Sequence, residues 1–370
     1  MKTFHMTTTK KKLLPATLAV AMLFTSSAAV FGAEQDLAAT EKRTPGIHNP
    51  IVNEKAGDPC ILKDGEDYYM SATGGTPEDF TGFVVWHSTD LFNWSEPAKA
   101  LDFKDISWAE GGAWAPSMVE KDGYYYLSFV ADKQIGLAVS DNPMGPYKDA
   151  LGKPLISKED FDFQTIDPAF FKDDDGKIYF AFGQSKCLMN EIELTPNSAT
   201  FVNEEWYDWT TEMCWQITKP TTIEDNILPK GYMESTMGED YKYTMWYEDK
   251  AWYNEAPDIF KVGDRYLLTW ACYDVNDYRY GIRYAWSNVS PIRGYQMPFS
   301  YDFPDNFLLQ GNHGIVGAGH GAITEKDGTL YVVYGRRDAN GSRELCIEPI
   351  QFLDKNHIQA TASASASVIY

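Results

Sequence analysis

One phrase occurs five times between residues 58 and 333, and no other feature constrains the fold of this chain as much. It runs proline or glycine, any residue, two apolar residues, a tight turn with Asp-Gly or Gly-Asp, then an aromatic-rich run. The copies open at Asp58-Pro59-Cys60, Ala115-Pro116-Ser117, Asp167-Pro168-Ala169, Ala256-Pro257-Asp258 and His320-Gly321-Ala322. Their second runs are Tyr68-Tyr69-Met70, Tyr124-Tyr125-Tyr126-Leu127, Ile178-Tyr179-Phe180, Tyr266-Leu267-Leu268 and Leu330-Tyr331-Val332-Val333. Asp-Gly between two apolar runs signals a hairpin, because the turn needs positive φ at its centre. Third-strand candidates follow each hairpin at 83–87, 135–139, 187–194, 280–286 and 345–350. No long 3.6-residue periodicity interrupts them, so the chain reads as all-β.

Five similar antiparallel units, each too small to bury its own faces, predict a five-bladed β-propeller over residues 51–355. A β-sandwich also uses many short strands, but it gives no reason for one phrase to recur. The units are unequal. Residues 198–254 are rich in tryptophan, tyrosine and acids, and they read as a last strand plus a long loop at one mouth of the propeller.

The flanks read differently. Lys10 to Lys12, an apolar run from Leu13 to Phe24 and small residues up to Ala33 form a secretory signal peptide, residues 1–33. The apolar run is too short for a membrane span, which needs ~20 residues. Residues 34–50 are a lead-in, and 356–370, with alternating alanine and serine, read as a low-complexity tail or linker. A secreted, extracellular or periplasmic protein is therefore expected.

Without residues 1–33 the formal charge of −21 becomes 28 − 53 = −25. That excess of acid argues against nucleic acid, anionic membranes and polyanionic polysaccharides as partners and favours a neutral ligand. The five cysteines have neither paired nor metal-type spacing, so most are expected to be buried apolar residues.

In a propeller the first strand of each blade lines the central channel, so the residues just before each proline, or before the glycine that replaces it in blade five, converge on one mouth. In blades one to five they are Asp58, Ala115, Asp167, Ala256 and His320, and blade four carries its carboxylate one position earlier, at Glu255. Converging carboxylates suit glycoside hydrolysis: one, protonated, donates to the leaving oxygen, and another, ionised, activates water or attacks the sugar. Trp114 opens a channel-lining strand and is a candidate for stacking on a sugar ring. Arg336, ending a blade-five strand, is a candidate donor to sugar hydroxyls. Asp173-Asp174-Asp175-Gly176 lacks the further spaced acids and closing glutamate of a calcium loop and reads as a hairpin turn.

These motifs resemble glycoside hydrolase family 43. Asp58-Pro59, Ile166-Asp167-Pro168 and Glu255-Ala256-Pro257 match its acidic signatures at blades one, three and four. Trp114-Ala115-Pro116, Ser88 to Trp94, Ser140 to Tyr147 and Gly319-His320-Gly321 also fit, over residues 50–352. The resemblance implies a five-bladed propeller and an inverting hydrolase in which Asp58 is the general base and Glu255 the general acid. Asp167 would orient the acid and raise its pKa. It implies no required cofactor, though some members hold a cation such as calcium in the central channel near the histidine that corresponds to His320. The implied substrates are neutral plant-cell-wall oligosaccharides or polysaccharides containing arabinose or xylose, hydrolysed by a monomer of α-L-arabinofuranosidase or β-xylosidase type. Endo-arabinanase and galactan-cleaving activities belong to the same family. A non-catalytic carbohydrate-binding propeller is the alternative of another class, although it would be expected to lose one of the three acids. The fructan- and sucrose-cleaving propellers use Asn-Asp-Pro, Arg-Asp-Pro and Glu-Cys-Pro, which this chain lacks.

Overall fold

Each of the five phrases opens a separate antiparallel sheet in the computed structural model, which describes residues 47–74, 80–209, 254–273, 275, 280–298, 307–311, 315–338 and 341–363. Blade one comprises Ala56–Asp64, Asp67–Gly74, Gly82–Ser88 and Ala98–Asp102. Blade two comprises Trp114–Lys121, Tyr124–Ala131, Gln134–Ser140 and Lys148–Asp149. Blade three is Ala169–Lys172, Ile178–Phe182, Leu188–Thr195 and Ser198–Phe201, with Tyr207–Asp208 pairing beside its third strand. Blade four is Asn254–Val262, Arg265–Cys272, Gly281–Ser287 and Phe307–Gln310; blade five is Val316–Lys326, Thr329–Arg337 and Arg343–Pro349. Strands pair in chain order within every blade. The predicted third strands fall within a residue or two of those observed.

The core is five interfaces between blades, because each sheet is apolar on both faces. Phe83 and Val85 of blade one meet Leu127 and Phe129 of blade two. Val119 and Tyr126 meet Ile178 and Phe180 across the next interface, and Phe171 and Tyr179 meet Leu268 and Trp270 across the third. Ile282 and Tyr284 pack on Ile323 and Val332. Val333 and Ile347 pack on Met70, Val84 and Trp86, which closes the ring between blades five and one. Side chains of the innermost strands also stitch neighbours together. Ser117 Oγ accepts from Phe170 N at 2.9 Å, and Asp258 Oδ2, at the same place in blade four, accepts from Ile323 N at 2.8 Å.

Both flanks join the closure. Ile51 N donates to Leu345 O at 2.8 Å. The Asn49 amide accepts from Ile347 N at 2.8 Å and donates to Ile347 O at 3.0 Å, so its side chain acts as one more rung of blade five. The stretch expected as a tail is packed over its first half. Ile358, Ala360 and Ala362 are buried between blades four and five, and Ala360 N donates to Leu308 O at 2.7 Å. Their period of two places Ile358 and the two alanines inward and Gln359 and Thr361 outward. Replacing Ile358 with alanine is expected to cost about 2–5 kcal/mol, read from the urea midpoint. An unchanged midpoint would mean that the segment contributes nothing to closure.

Residues 1–46, which contain the expected signal peptide, and 210–253, most of the expected mouth loop, lie outside the described residues. Trp206 and Trp209, which the sequence places with that loop, are core instead. Trp206 packs on Phe201 at 4.5 Å and Phe182 at 5.1 Å, and Trp209 on Trp270 at 5.3 Å between ring centroids. The four described cysteines are buried thiols, and Cys214 lies outside the described residues. The triple-aspartate segment is a hairpin turn whose Asp173 binds Lys261 Nζ at 2.6 Å and Tyr266 Oη at 2.7 Å.

Candidate active site

The four residues that precede the prolines, and His320 at the same place in blade five, share an uncommon backbone. Asp58, Ala115, Asp167, Ala256 and His320 all have positive φ, between 41° and 54°. Non-glycine residues rarely adopt this conformation, and each costs about 1–3 kcal/mol where it is held. The cause is local. Proline has no N–H to give to the ladder, so pairing skips, and register shifts occur at Gly57/Cys60, Trp114/Ser117 and Glu255/Asp258. Blade five makes the same bulge at Gly319/Gly321 without a proline. A bulge re-aims the side chain at its centre. Glu255 stands one residue before the bulged Ala256 and pairs in register with Ala271, so it reaches the same region from a different backbone position.

Asp58, Asp167, Glu255 and His320 form one buried cluster; the three carboxylates are between 7% and 9% exposed. Arg343 grips Asp58 with both terminal nitrogens, Nη1 at 2.6 Å from Oδ2 and Nη2 on Oδ1. His320 Nδ1 lies 2.9 Å from the same Oδ1 and 3.9 Å from Asp167 Oδ2. Burial alone would favour a protonated Asp58. The Arg343 guanidinium and the His320 imidazolium outweigh it and hold the carboxyl well below the usual carboxylate range. For His320, burial works against the charge, but Asp58 and Asp167 prevail and the ring keeps its proton above the usual imidazole range.

The opposite holds across the cluster. Burial raises the pKa of Glu255, and the Asp167 carboxylate raises it further. Asp167 is itself raised by burial and by Asp58, while its Oδ2 accepts from Ala256 N at 3.1 Å, the amide next to Glu255. Two carboxyl groups in one site are thus driven apart, Asp58 ionised and Glu255 protonated, which is how acid and base coexist at one pH.

Asp58 and Arg343 line a cavity of about 430 Å³, together with Trp114, Phe80, Lys55 and Ser342. Trp114, the stacking candidate, thus lines the same cavity as Asp58. Phe80, 46% exposed beside the cavity, gave no sequence signal, because it precedes a strand without any periodic pattern. Arg336 does not belong to the site. It is 2% exposed, pairs with Glu344 Oε2 at 3.2 Å and donates to Ser363 O. The arginine at the site is Arg343, which starts the neighbouring strand opposite Arg337. Room for it comes from two glycines. A Cβ on Gly57 would lie 2.2 Å from Arg343 Nε, and one on Gly335 3.1 Å from Nη2. Gln184 and Tyr280, which contact Glu255, were also invisible in sequence, since neither stands in the recurring phrase.

A cation beside His320 would need donors that these side chains only partly supply. Calcium takes six to eight oxygen ligands. Among the described residues no three His, Cys, Asp or Glu side chains are grouped to hold a metal, and Nδ1 of His320 faces Asp58. The side chains present do not by themselves make a calcium cage.

The chain is similar to known proteins in sequence and in fold. The β-D-galactofuranosidase xynD of Aspergillus niger is 26% identical over 347 residues, covering 88% of either chain. Xylosidase/arabinosidase 43B of Humicola insolens is 31% identical over 150 residues, which is 37% of this chain but 26% of that protein. A thermostable family-43 glycoside hydrolase of known crystal structure superposes with a TM-score of 0.61 at 22% identity, covering 86% of this chain and 97% of the other. The model of glycosyl hydrolases family 43 matches residues 47–357, from the segment that closes blade five to the start of the packed C-terminal segment, and the chain belongs to that family.

Proposed function

We propose that this glycoside hydrolase cleaves arabinose- or xylose-containing plant oligosaccharides by a single inverting displacement, with Asp58 as general base and Glu255 as general acid. The observation that carries the assignment is the contrast in surroundings: Asp58 is held by Arg343 and His320, whereas Glu255 is buried with Asp167 bonded to its adjoining amide. Water bonded to Asp58 attacks the anomeric carbon and gives its proton to that carboxylate. The glycosidic bond breaks, and its oxygen takes the proton of Glu255. Asp167 holds Glu255 through the Ala256 amide and opposes its ionisation. Trp114 and Phe80 offer aromatic faces to the sugar. A neutral substrate accords with the net charge of −21, and the xylosidase/arabinosidase relative supports pentosides.

A second reading is hydrolysis of galactofuranosides, favoured by the relative that matches 88% of the chain; galactofuranose shares the five-membered ring of arabinofuranose. The test is a panel of arabino-, xylo- and galactofuranosyl oligosaccharides with product sizing, run beside nitrophenyl glycosides for the wild type and Glu255→Ala. Release of single pentoses supports the first reading, and turnover of galactofuranosides alone the second. No turnover of any substrate would favour a binding propeller.

Export is part of the proposal and rests on residues 1–33. N-terminal sequencing of the protein from the culture supernatant or periplasm should find a start between about residues 30 and 34; an intact Met1 on the exported protein would contradict it.

Gly57 gives a sharper local prediction. Its backbone is one that alanine accepts, but the added methyl would meet Arg343. Gly57→Ala is expected to move the guanidinium off Asp58 and lower kcat by about 10²-fold, the usual result of an ångström-scale misplacement. Unchanged kcat would show that the slot has slack.

A further inference from the structure

Both oxygens of the Glu255 carboxyl are held by donors to which the reaction as described gives no part. Tyr280 Oη lies 2.8 Å from Oε1, and Gln184 Nε2 lies 2.7 Å from Oε2. Each donor is fixed by its surroundings. Tyr280 is completely buried, and its ring fits only because residue 319 is glycine, where a Cβ would lie 2.3 Å from Cε1. Gln184 belongs to the turn between the second and third strands of blade three. That turn is docked on blade four by Ser185 N donating to Asn254 O at 2.7 Å. Its entry is Gly183, with φ of 123° and no room for a side chain against Lys186 O.

We propose that Tyr280 and Gln184 are positioning residues for the acid, which speed proton delivery by stabilising the carboxylate that Glu255 becomes. The inference rests on Glu255 being the general acid. Both partners are donors: the amide nitrogen has only hydrogens to offer, and burial keeps the Tyr280 phenol protonated, its pKa far above the ordinary value. A hydrogen bond to a carboxylate is about twice as strong as one to a neutral acid. Their grip therefore tightens as the proton leaves, and an interaction that strengthens toward the transition state raises the rate. Because both donors are in place beforehand, no reorganisation is needed at that moment. The other charged groups that act on Glu255 are Asp167 from blade three, which opposes its ionisation, and His320 and Arg343 from blade five. Asp58 and Asp167 also act on Tyr280. Burial and Asp167 keep the proton on the acid, and the two donors keep it transferable.

The experiment is a leaving-group series of aryl glycosides, from a dinitrophenol to unsubstituted phenol, with kcat/KM and its pH profile measured for the wild type, Tyr280→Phe, Gln184→Met and Glu255→Ala. Gln184→Met is made in parallel because it leaves the buried aromatic ring untouched. Poor leaving groups need the proton and good ones scarcely do. Tyr280→Phe and Gln184→Met are each expected to lose about tenfold to hundredfold on the phenyl glycoside, the worth of a hydrogen bond to a charged group, and little on the dinitrophenyl one. Their alkaline limbs should move to higher pH, since removing a donor to the carboxylate raises the pKa of Glu255. A uniform loss across the series with an unmoved limb, while Glu255→Ala remains steeply leaving-group dependent, would overturn the positioning role and leave the acid assignment standing. A uniform loss in Glu255→Ala itself would overturn the acid assignment, and this inference with it.

Discussion

Asp58→Asn is expected to lower kcat by about 10²–10⁴-fold, the range a general acid or base contributes, while sugar binding largely survives. The amide cannot take the proton that water must lose. It also fits its place badly. Asp58 receives three donors, two from Arg343 and one from His320, and the asparagine NH₂ would face at least one of them. Lost activity should therefore come with a lower melting temperature. Binding of a non-hydrolysed sugar or product separates the two effects: a variant that still binds but does not turn over has lost its base. Wild-type kcat in Asp58→Asn would remove Asp58 from the chemistry altogether.

The second large effect is at Arg343, and it is read through pH. Arg343→Leu leaves the buried carboxyl of Asp58 with His320 as its remaining cationic partner. Breaking a buried pair by removing one side costs about 3–5 kcal/mol. The sign with pH follows from the direction of the shift. In the wild type the folded-state pKa of Asp58 is depressed. Its contribution to stability is then fully present above the unfolded value, about 3.9, and is lost as pH falls through the lower folded value. The gap between wild type and Arg343→Leu should thus be widest near neutrality and narrow in strong acid, as urea unfolding at pH 7 and below pH 3 would show. The same loss moves the acidic limb of kcat/KM upward, because a less acidic Asp58 is protonated at higher pH. A gap that is independent of pH would mean that Arg343 contributes packing rather than charge.

Much of this was legible in the sequence, for identifiable reasons. Pro59, Pro116, Pro168 and Pro257 mark the points where the ladder loses an N–H, and the Asp-Gly turns fix the hairpins that follow. Those local rules located the blades and brought Asp58, Asp167, Glu255 and His320 together. The positive φ of Asp58, Ala115, Asp167 and Ala256 was not legible, since the residue before proline is ordinarily extended. Strand register separated Arg336 from Arg343. Both are arginines near the turn between the last two strands of blade five. Arg343 reaches Asp58 through the slot left by Gly57 and Gly335, while Arg336 is spent on Glu344. Gln184 reaches Glu255 across a blade interface and Tyr280 from beside the third strand of the same blade, and no local pattern encodes which side chains meet over such separations. The C-terminal segment did carry a signal, the alternation of Ile358, Ala360 and Ala362, but its composition pointed to a linker.

The most direct test is proton NMR of the first sugar released from an oligosaccharide substrate, recorded before mutarotation. With Asp58 activating water on one face of the ring and Glu255 protonating the leaving oxygen on the other, the first product must carry the inverted anomeric configuration. A retained anomer would mean that a carboxylate attacks the sugar itself, and the division of the site into base and acid would be wrong.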